Sequence, residues 1–313
     1  MLVQTLVALI CFGVSTITAF PSHALALPPG SGVMEVETPG VDGPIVVHYH
    51  RGSGHSADDP IIVVLPGGGR NGDSYRDSWI DSAEQYDLLV LAPSFDERRF
   101  PGPINYNLAG MIADDANLRT LETVTLREAP EEWLFARIEA IFDAAVARSD
   151  SAQTQYDLFG HSAGGQIVHR MTLFAPDTRI RRALAANSGW YTIPSSQTAF
   201  PYGLDGAPMD EQQLETAFER DLVVFLGELD NASETRGHLR HTPETDSQGL
   251  HRLARGQSFM RLAAEQATSK DAEGFAWECA IVIGVGHDYR RMGQAAAEYL
   301  YGASENVGIC DTQ

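Results

Sequence analysis

The sequence predicts an α/β fold, a mostly parallel central sheet with helices on both faces. Short continuous apolar runs recur along the chain, segments of helical period separate them, and glycine-rich turns follow several of the runs. Alternation of buried strands with helices is what a parallel sheet requires, because each crossover returns the chain to the same edge of the sheet.

The elements can be justified in order. Residues 1–26 contain no Asp, Glu, Lys or Arg and carry a long apolar run, Leu6 to Val14, followed by Ala24-Leu25-Ala26 as a small-x-small cleavage pattern. This reads as a cleaved signal peptide, hence a secreted or periplasmic protein. An uncleaved anchor is the rival, since no basic residue precedes the apolar run. Cys11 lies too early, and without a Leu-Ala-Gly approach, for a lipoprotein site. Residues 27–313 are expected to form a single domain. Met34 to Glu37 and Ile45 to Tyr49, separated by Pro39-Gly40 and Asp42-Gly43 turn signals, read as an antiparallel edge hairpin. Ile61 to Leu65 is apolar throughout, as a strand covered on both faces should be. Leu88 to Leu91, Tyr156 to Phe159, Ala183 to Ala186, Leu222 to Leu226 and Cys279 to Ile283 repeat that pattern. Helical patterning falls between them, at Glu131 to Arg148, Ala163 to Phe174, Arg252 to Thr268 and Arg291 to Tyr301. Two stretches interrupt the alternation and are expected as loop insertions, near 94–128 and 190–209. Loops at the carboxyl ends of strands line the ligand crevice of such sheets, so both are candidate walls of a site.

A formal net charge of −20 argues against nucleic acid or an anionic membrane as partner. Among the basic residues only Lys270 is lysine. Beyond the leader two cysteines remain, Cys279 and Cys310, and in an oxidising compartment a disulfide is the economical reading; two separate thiols are the alternative.

The chemistry starts at Gly160-His161-Ser162-Ala163-Gly164, a G-x-S-x-G pattern between an apolar strand and a helical segment. A serine at the apex of a sharp strand-to-helix turn sits on strained backbone, and its neighbours two residues away must lack a Cβ. The pattern is short enough to arise by chance, so its context carries the weight. A serine hydroxyl needs a base within reach, and the base needs a third group to orient it. Leu222 to Leu226 runs into Gly227-Glu228-Leu229-Asp230, which places Asp230 in a turn at a strand's carboxyl end, with Glu228 and Asp288 as alternative acids. Ile281 to Ile283 runs into Gly284-Val285-Gly286-His287, where glycines let a loop carry an imidazole over the sheet. His287 is therefore the candidate general base. His161 is the rival among ten histidines, but a residue adjacent to the nucleophile is expected to point away from it; His251, near a helix start, reads as a capping or surface group.

Attack on an acyl carbon creates an oxyanion that wants pre-aimed donors. The backbone N–H of Ala163, at the start of a helix, is one candidate. The other lies in Pro66-Gly67-Gly68-Gly69-Arg70-Asn71-Gly72, at Gly68 or, failing that, Gly69. Phosphate binding by this loop lacks the G-x-x-x-x-G-K-[ST] and G-x-G-x-x-G patterns, and no His/Cys/Asp cluster has metal-ligand spacing, so no cofactor is expected. Trp190 and Tyr191 could wall an acyl pocket, or equally pack an insertion onto the body.

Taken together, Leu65-Pro66-Gly67-Gly68-Gly69-Arg70-Asn71, Gly160 to Gly165, Gly227 to Asp230 and Gly284 to Asp288 resemble the α/β-hydrolases related to poly(3-hydroxybutyrate) depolymerases and feruloyl esterases. The resemblance spans roughly residues 44–300. It implies the α/β-hydrolase fold, the triad Ser162, Asp230 and His287, Gly68 as an oxyanion donor, and carboxylic-ester hydrolysis without a cofactor, on a small or polymeric ester. Pro66 stands where that family's oxyanion loop usually has histidine, which leaves the buttressing of the loop open. A peptidase or acyltransferase on the same fold, or an inactive binding relative, are the alternatives.

Overall fold

A computed structural model describes residues 26–310 except 39, 41, 114–123, 234–238, 271 and 273. The expected leader lies almost wholly outside these residues. The strands are β1 Gly30–Val36, β2 Ile45–Arg51, β3 Ile61–Leu65, β4 Leu89–Ser94, β5 Tyr156–His161, β6 Ile180–Ala186, β7 Leu222–Gly227, β8 Glu278–Val282 and β9 Val307–Ile309. The helices are α1 Gly72–Asp77, α2 Ile80–Gln85, α3 Gly102–Asn105, α4 Leu134–Ser149, α5 Ala163–Phe174, α6 Glu211–Phe218, α7 Pro243–Gln248, α8 Arg252–Ser269 and α9 Tyr289–Tyr301.

All strands join one nine-stranded sheet in the order β1-β2-β4-β3-β5-β6-β7-β8-β9. The block from β4 to β8 is parallel, and β1, β2 and β9 pair antiparallel at its edges. The edge hairpin and the parallel core stand as the sequence predicts. The three-residue β9 is not legible in the sequence, where nothing but a short Val-Gly-Ile marks it. It lies beside β8, and the expected disulfide clasps it there, Cys279 to Cys310 with Cα atoms 5.2 Å apart.

Apolar runs in the central strands serve two cores at once. Ile61, Val63 and Leu65 face one core and Ile62 and Val64 the other; Leu222, Val224 and Leu226 oppose Val223 and Phe225 in the same way. The first core takes Ile138 and Ile141 of α4, Ile167 and Met171 of α5, and Phe259 and Ala263 of α8. The second takes Tyr75 of α1 with Trp79 and Ala83 beside and within α2, and Met292, Ala296 and Leu300 of α9. A strand with no solvent face cannot alternate polar and apolar residues, which is why period-two patterning is absent from these runs.

Because the block is parallel, the chain leaves β3, β5, β7 and β8 on the same side of the sheet. The glycine-rich loop, the G-x-S-x-G turn, the Asp230 turn and the His287 loop are thereby gathered along one rim.

Candidate active site

Ser162 sits between β5 and α5 with φ 57° and ψ −111°, a conformation that costs a non-glycine residue about 1–3 kcal/mol. Its N–H donates to the Ala186 carbonyl of the neighbouring strand at 2.8 Å, which helps to pin the turn. The flanking glycines are steric necessities. A Cβ on Gly160 would stand 2.4 Å from the Gly164 carbonyl oxygen, and one on Gly164 would stand 2.2 Å from that of Leu65.

Asp230 and His287 meet as the spacing suggests. His287 Nδ1 and Asp230 Oδ2 are 2.7 Å apart. With Nδ1 donating to the carboxylate, the other ring nitrogen is left as an acceptor. Asp230 is buried, its carbonyl accepts from Leu253 N–H at 3.1 Å, and an Arg252 guanidinium nitrogen lies 3.6 Å from its Oδ1. The alternative acids are engaged elsewhere: Glu228 accepts from the Gly284 N–H at 2.8 Å, and Asp288 caps α9 through Arg290 and Arg291 N–H. His251 caps α8, accepting from Ala254 N–H at 3.2 Å.

Asn187 ties the acid and base loops together. At φ 47°, its amide donates to the Gly286 carbonyl at 3.1 Å and its side-chain oxygen accepts from Gly227 N–H at 2.7 Å. In the sequence it is inconspicuous, since an Asn after a strand is an ordinary turn signal.

The glycine-rich loop runs against the nucleophile: a Cβ on Gly67 would lie 3.4 Å from Ser162 Cβ. Gly68 has open space where its Cβ would be, and Ala163 begins α5, whose N-terminus favours negative charge. What buttresses the loop in place of a histidine at position 66 is now visible. The Tyr106 hydroxyl donates to the Pro66 carbonyl at 2.6 Å. Arg70, at φ 53°, folds its guanidinium onto the carbonyls of Phe95, Phe100 and Gly102, while its N–H closes the turn onto Gly67 O at 2.9 Å. Burial lowers the Arg70 pKa, yet it stays a cation bound by carbonyl dipoles. The expected insertion at 94–128 thus supplies the loop's scaffold, with residues 114–123 of it outside the described residues.

Trp190 and Tyr191 are both buried, in packing roles. The Arg170 guanidinium lies 4.3 Å from the Trp190 ring centroid, and Tyr191 stacks on Phe259 at 4.5 Å. His161 is buried too, and its ring packs against His287, with centroids 4.5 Å apart. Among the described residues no group of His, Cys, Asp or Glu is arranged to hold a metal ion, and no helix is long and apolar enough to cross a membrane.

No protein-family model and no curated protein matches the chain. Solved structures do. The chain is similar to poly(aspartic acid) hydrolase-1 from Sphingomonas sp. KT-1, at 37% identity over 88% of this chain and 99% of that one, with TM-score 0.80. It is similar to the poly(3-hydroxybutyrate) depolymerase LpqC from Bordetella parapertussis, at 31% identity over 88% and 91% of the two chains, with TM-score 0.79. An IroE-like serine hydrolase from Shewanella oneidensis shares the fold at 11% identity, 87% and 80% coverage and TM-score 0.55.

Proposed function

Since the chain belongs to the α/β-hydrolase family that contains poly(aspartic acid) hydrolase-1 and the depolymerase LpqC, we propose that it is an exported serine esterase that works through an acyl-enzyme on Ser162. The observation that carries the reading is the 2.7 Å Asp230–His287 pair standing on the same sheet rim as a serine held at φ 57°. A serine is held on such a turn, and an imidazole fixed by a buried carboxylate, when an alcohol has to be made nucleophilic.

In the proposed cycle His287 Nε2 takes the Ser162 hydroxyl proton as Oγ bonds to the ester carbonyl carbon. The oxyanion that forms is met by the Gly68 and Ala163 amides. Collapse breaks the carbon–oxygen bond to the alcohol, which leaves with the proton from His287. Water then repeats the sequence on the acyl-enzyme, releasing the acid and restoring Ser162. Asp230 stays ionised and stabilises the imidazolium that forms twice per cycle. No step needs a cofactor. The uncharged leader at residues 1–26 supports export, and so substrates met outside the cytoplasm, polymeric or small.

A second reading is amide hydrolysis of a polyanion, favoured by the 37% identity to a poly(aspartic acid) hydrolase. The net charge of −20 weighs against it, because a polyanion would approach against the protein's own field. One panel separates the two: p-nitrophenyl esters of rising acyl length, a feruloyl ester, polyhydroxybutyrate and poly(aspartic acid), each with wild type and Ser162→Ala. Ester turnover lost in Ser162→Ala is the expected result. Turnover of poly(aspartic acid) alone would transfer the assignment to the amide reading, and equal rates for both proteins on every substrate would remove the serine mechanism.

A further inference from the structure

His161 connects two parts of the proposed machinery that are far apart in sequence. Its Nδ1 lies 3.0 Å from the Tyr75 hydroxyl, and its ring packs on His287 at 4.5 Å with an interplanar angle of 40°. Tyr75 is buried and stacked on Tyr289 at 4.2 Å, and its hydroxyl stands against Gly67, the residue before the expected oxyanion donor Gly68, so closely that a Cβ there would lie 3.0 Å from it. With the phenolic O–H as donor to His161 Nδ1, the hydroxyl oxygen is left as an acceptor on the side that faces Gly67. That assigns neutral His161 its proton on Nε2, an atom that is buried with no hydrogen-bond partner among the described residues.

From this geometry we infer that His161 is a positioning residue, which through Tyr75 fixes the Gly67–Gly68 loop and through ring packing fixes His287, so that oxyanion donor and base are set by one shared element. The inference rests on the esterase reading for its catalytic consequence, though the contacts themselves do not.

The surroundings favour the neutral ring this coupling needs. Burial first, and then His287 and the Arg252 guanidinium, hold the His161 imidazole far below the usual histidine range. The groups facing it are Tyr75 from α1, Tyr289 at the start of α9 and His287 from the loop after β8, with Arg252 of α8 acting at longer range. No carboxylate contacts His161 among the described residues; Asp230 reaches it only through His287. When His287 becomes an imidazolium in the cycle, a neutral aromatic face beside it is compatible with the new charge, whereas a second imidazolium at 4.5 Å would repel it.

The test combines histidine 15N NMR on the whole protein with steady-state ester kinetics, on wild type, Tyr75→Phe, His161→Phe and the double variant. Tyr75→Phe keeps the stack on Tyr289 and removes only the hydroxyl, so its fold should be intact by thermal melting. Wild-type His161 is expected to stay in the Nε2–H tautomer without titrating between about pH 5.5 and 9, and Tyr75→Phe is expected to move its Nδ1 resonance. In kinetics each single variant should lose roughly 10- to 100-fold in kcat with KM nearly unchanged, and the double variant should lose little more than the worse single. An ordinary titration of His161 that Tyr75→Phe leaves unmoved, or fully additive kinetic losses, would overturn the coupling while leaving the esterase reading standing. If the NMR coupling is present and wild type cleaves no ester, the coupling holds and the esterase reading alone has failed.

Discussion

Gly164→Ala is the perturbation whose effect the structure fixes most tightly. The new Cβ would stand 2.2 Å from the Leu65 carbonyl oxygen and 2.8 Å from that of Pro66, where ordinary contact begins at 3.4 Å. Neither obstacle is a side chain that can rotate away. Relief therefore requires the start of α5 to withdraw from β3 by roughly 1 Å, and a displacement of that size at a reacting group costs on the order of 100-fold in rate. Overpacking of this kind also destabilises by about 1–3 kcal/mol, or roughly 2–10 °C in Tm for a domain of this size. Gly68→Ala is the matched control, since a Cβ there meets nothing within 4 Å; it should melt like wild type. The assay is kcat on p-nitrophenyl butyrate beside a thermal melt for each variant. Wild-type kcat and Tm in Gly164→Ala would refute the claim that backbone contact between Ser162's turn and the glycine-rich loop sets the site.

Two further outcomes concern stability. Asp157 is fully buried on β5 and accepts from Arg181, Arg182 and the Tyr301 hydroxyl, so Asp157→Asn should cost about 2–4 kcal/mol by chemical denaturation, the arginines being partly solvated. Burial alone would raise this carboxyl, but those hydrogen bonds outweigh it and hold it below its ordinary value of 3.8. The stabilisation should accordingly be complete above about pH 5 and should fade as pH falls below 3.8 through the folded-state value, so wild type and variant converge in acid. A gap that stays constant down to pH 2 would contradict the linkage. Removing the Cys279–Cys310 bridge by a Cys279→Ser, Cys310→Ser pair opens a loop of 31 residues and should cost on the order of 3–4 kcal/mol, with kcat retained, because the bridge clasps β9 to β8 rather than the site rim. Loss of kcat in the folded pair would show that the sheet edge and the site are coupled.

What could be seen in advance follows from where the signal resides. Buried parallel strands announce themselves through continuous apolar runs, and strand-terminal glycines show where loops must turn back over the rim; the placement of Ser162, Asp230 and His287 along that rim is legible for that reason. The residues that hold those groups are not. Tyr75, Tyr106 and Asn187 act through one or two hydrogen bonds across long sequence separations, and as single residues they look like core aromatics or a turn amide. Arg70 is visible as part of the glycine-rich loop, but only the fold brings it the Phe95, Phe100 and Gly102 carbonyls. His161 shows the same limit. The sequence suggests only that it points away from the nucleophile; the ring it meets belongs to His287, 126 positions away, a contact only topology supplies.

The most direct measurement is covalent trapping of the nucleophile. Wild type treated with a fluorophosphonate should gain one adduct by intact mass, mapping by peptide sequencing to Ser162, with Ser162→Ala unlabelled and Asp230→Asn labelled far more slowly. Labelling of Ser162→Ala at the wild-type rate, or an adduct on any other residue, would contradict a serine mechanism at this site.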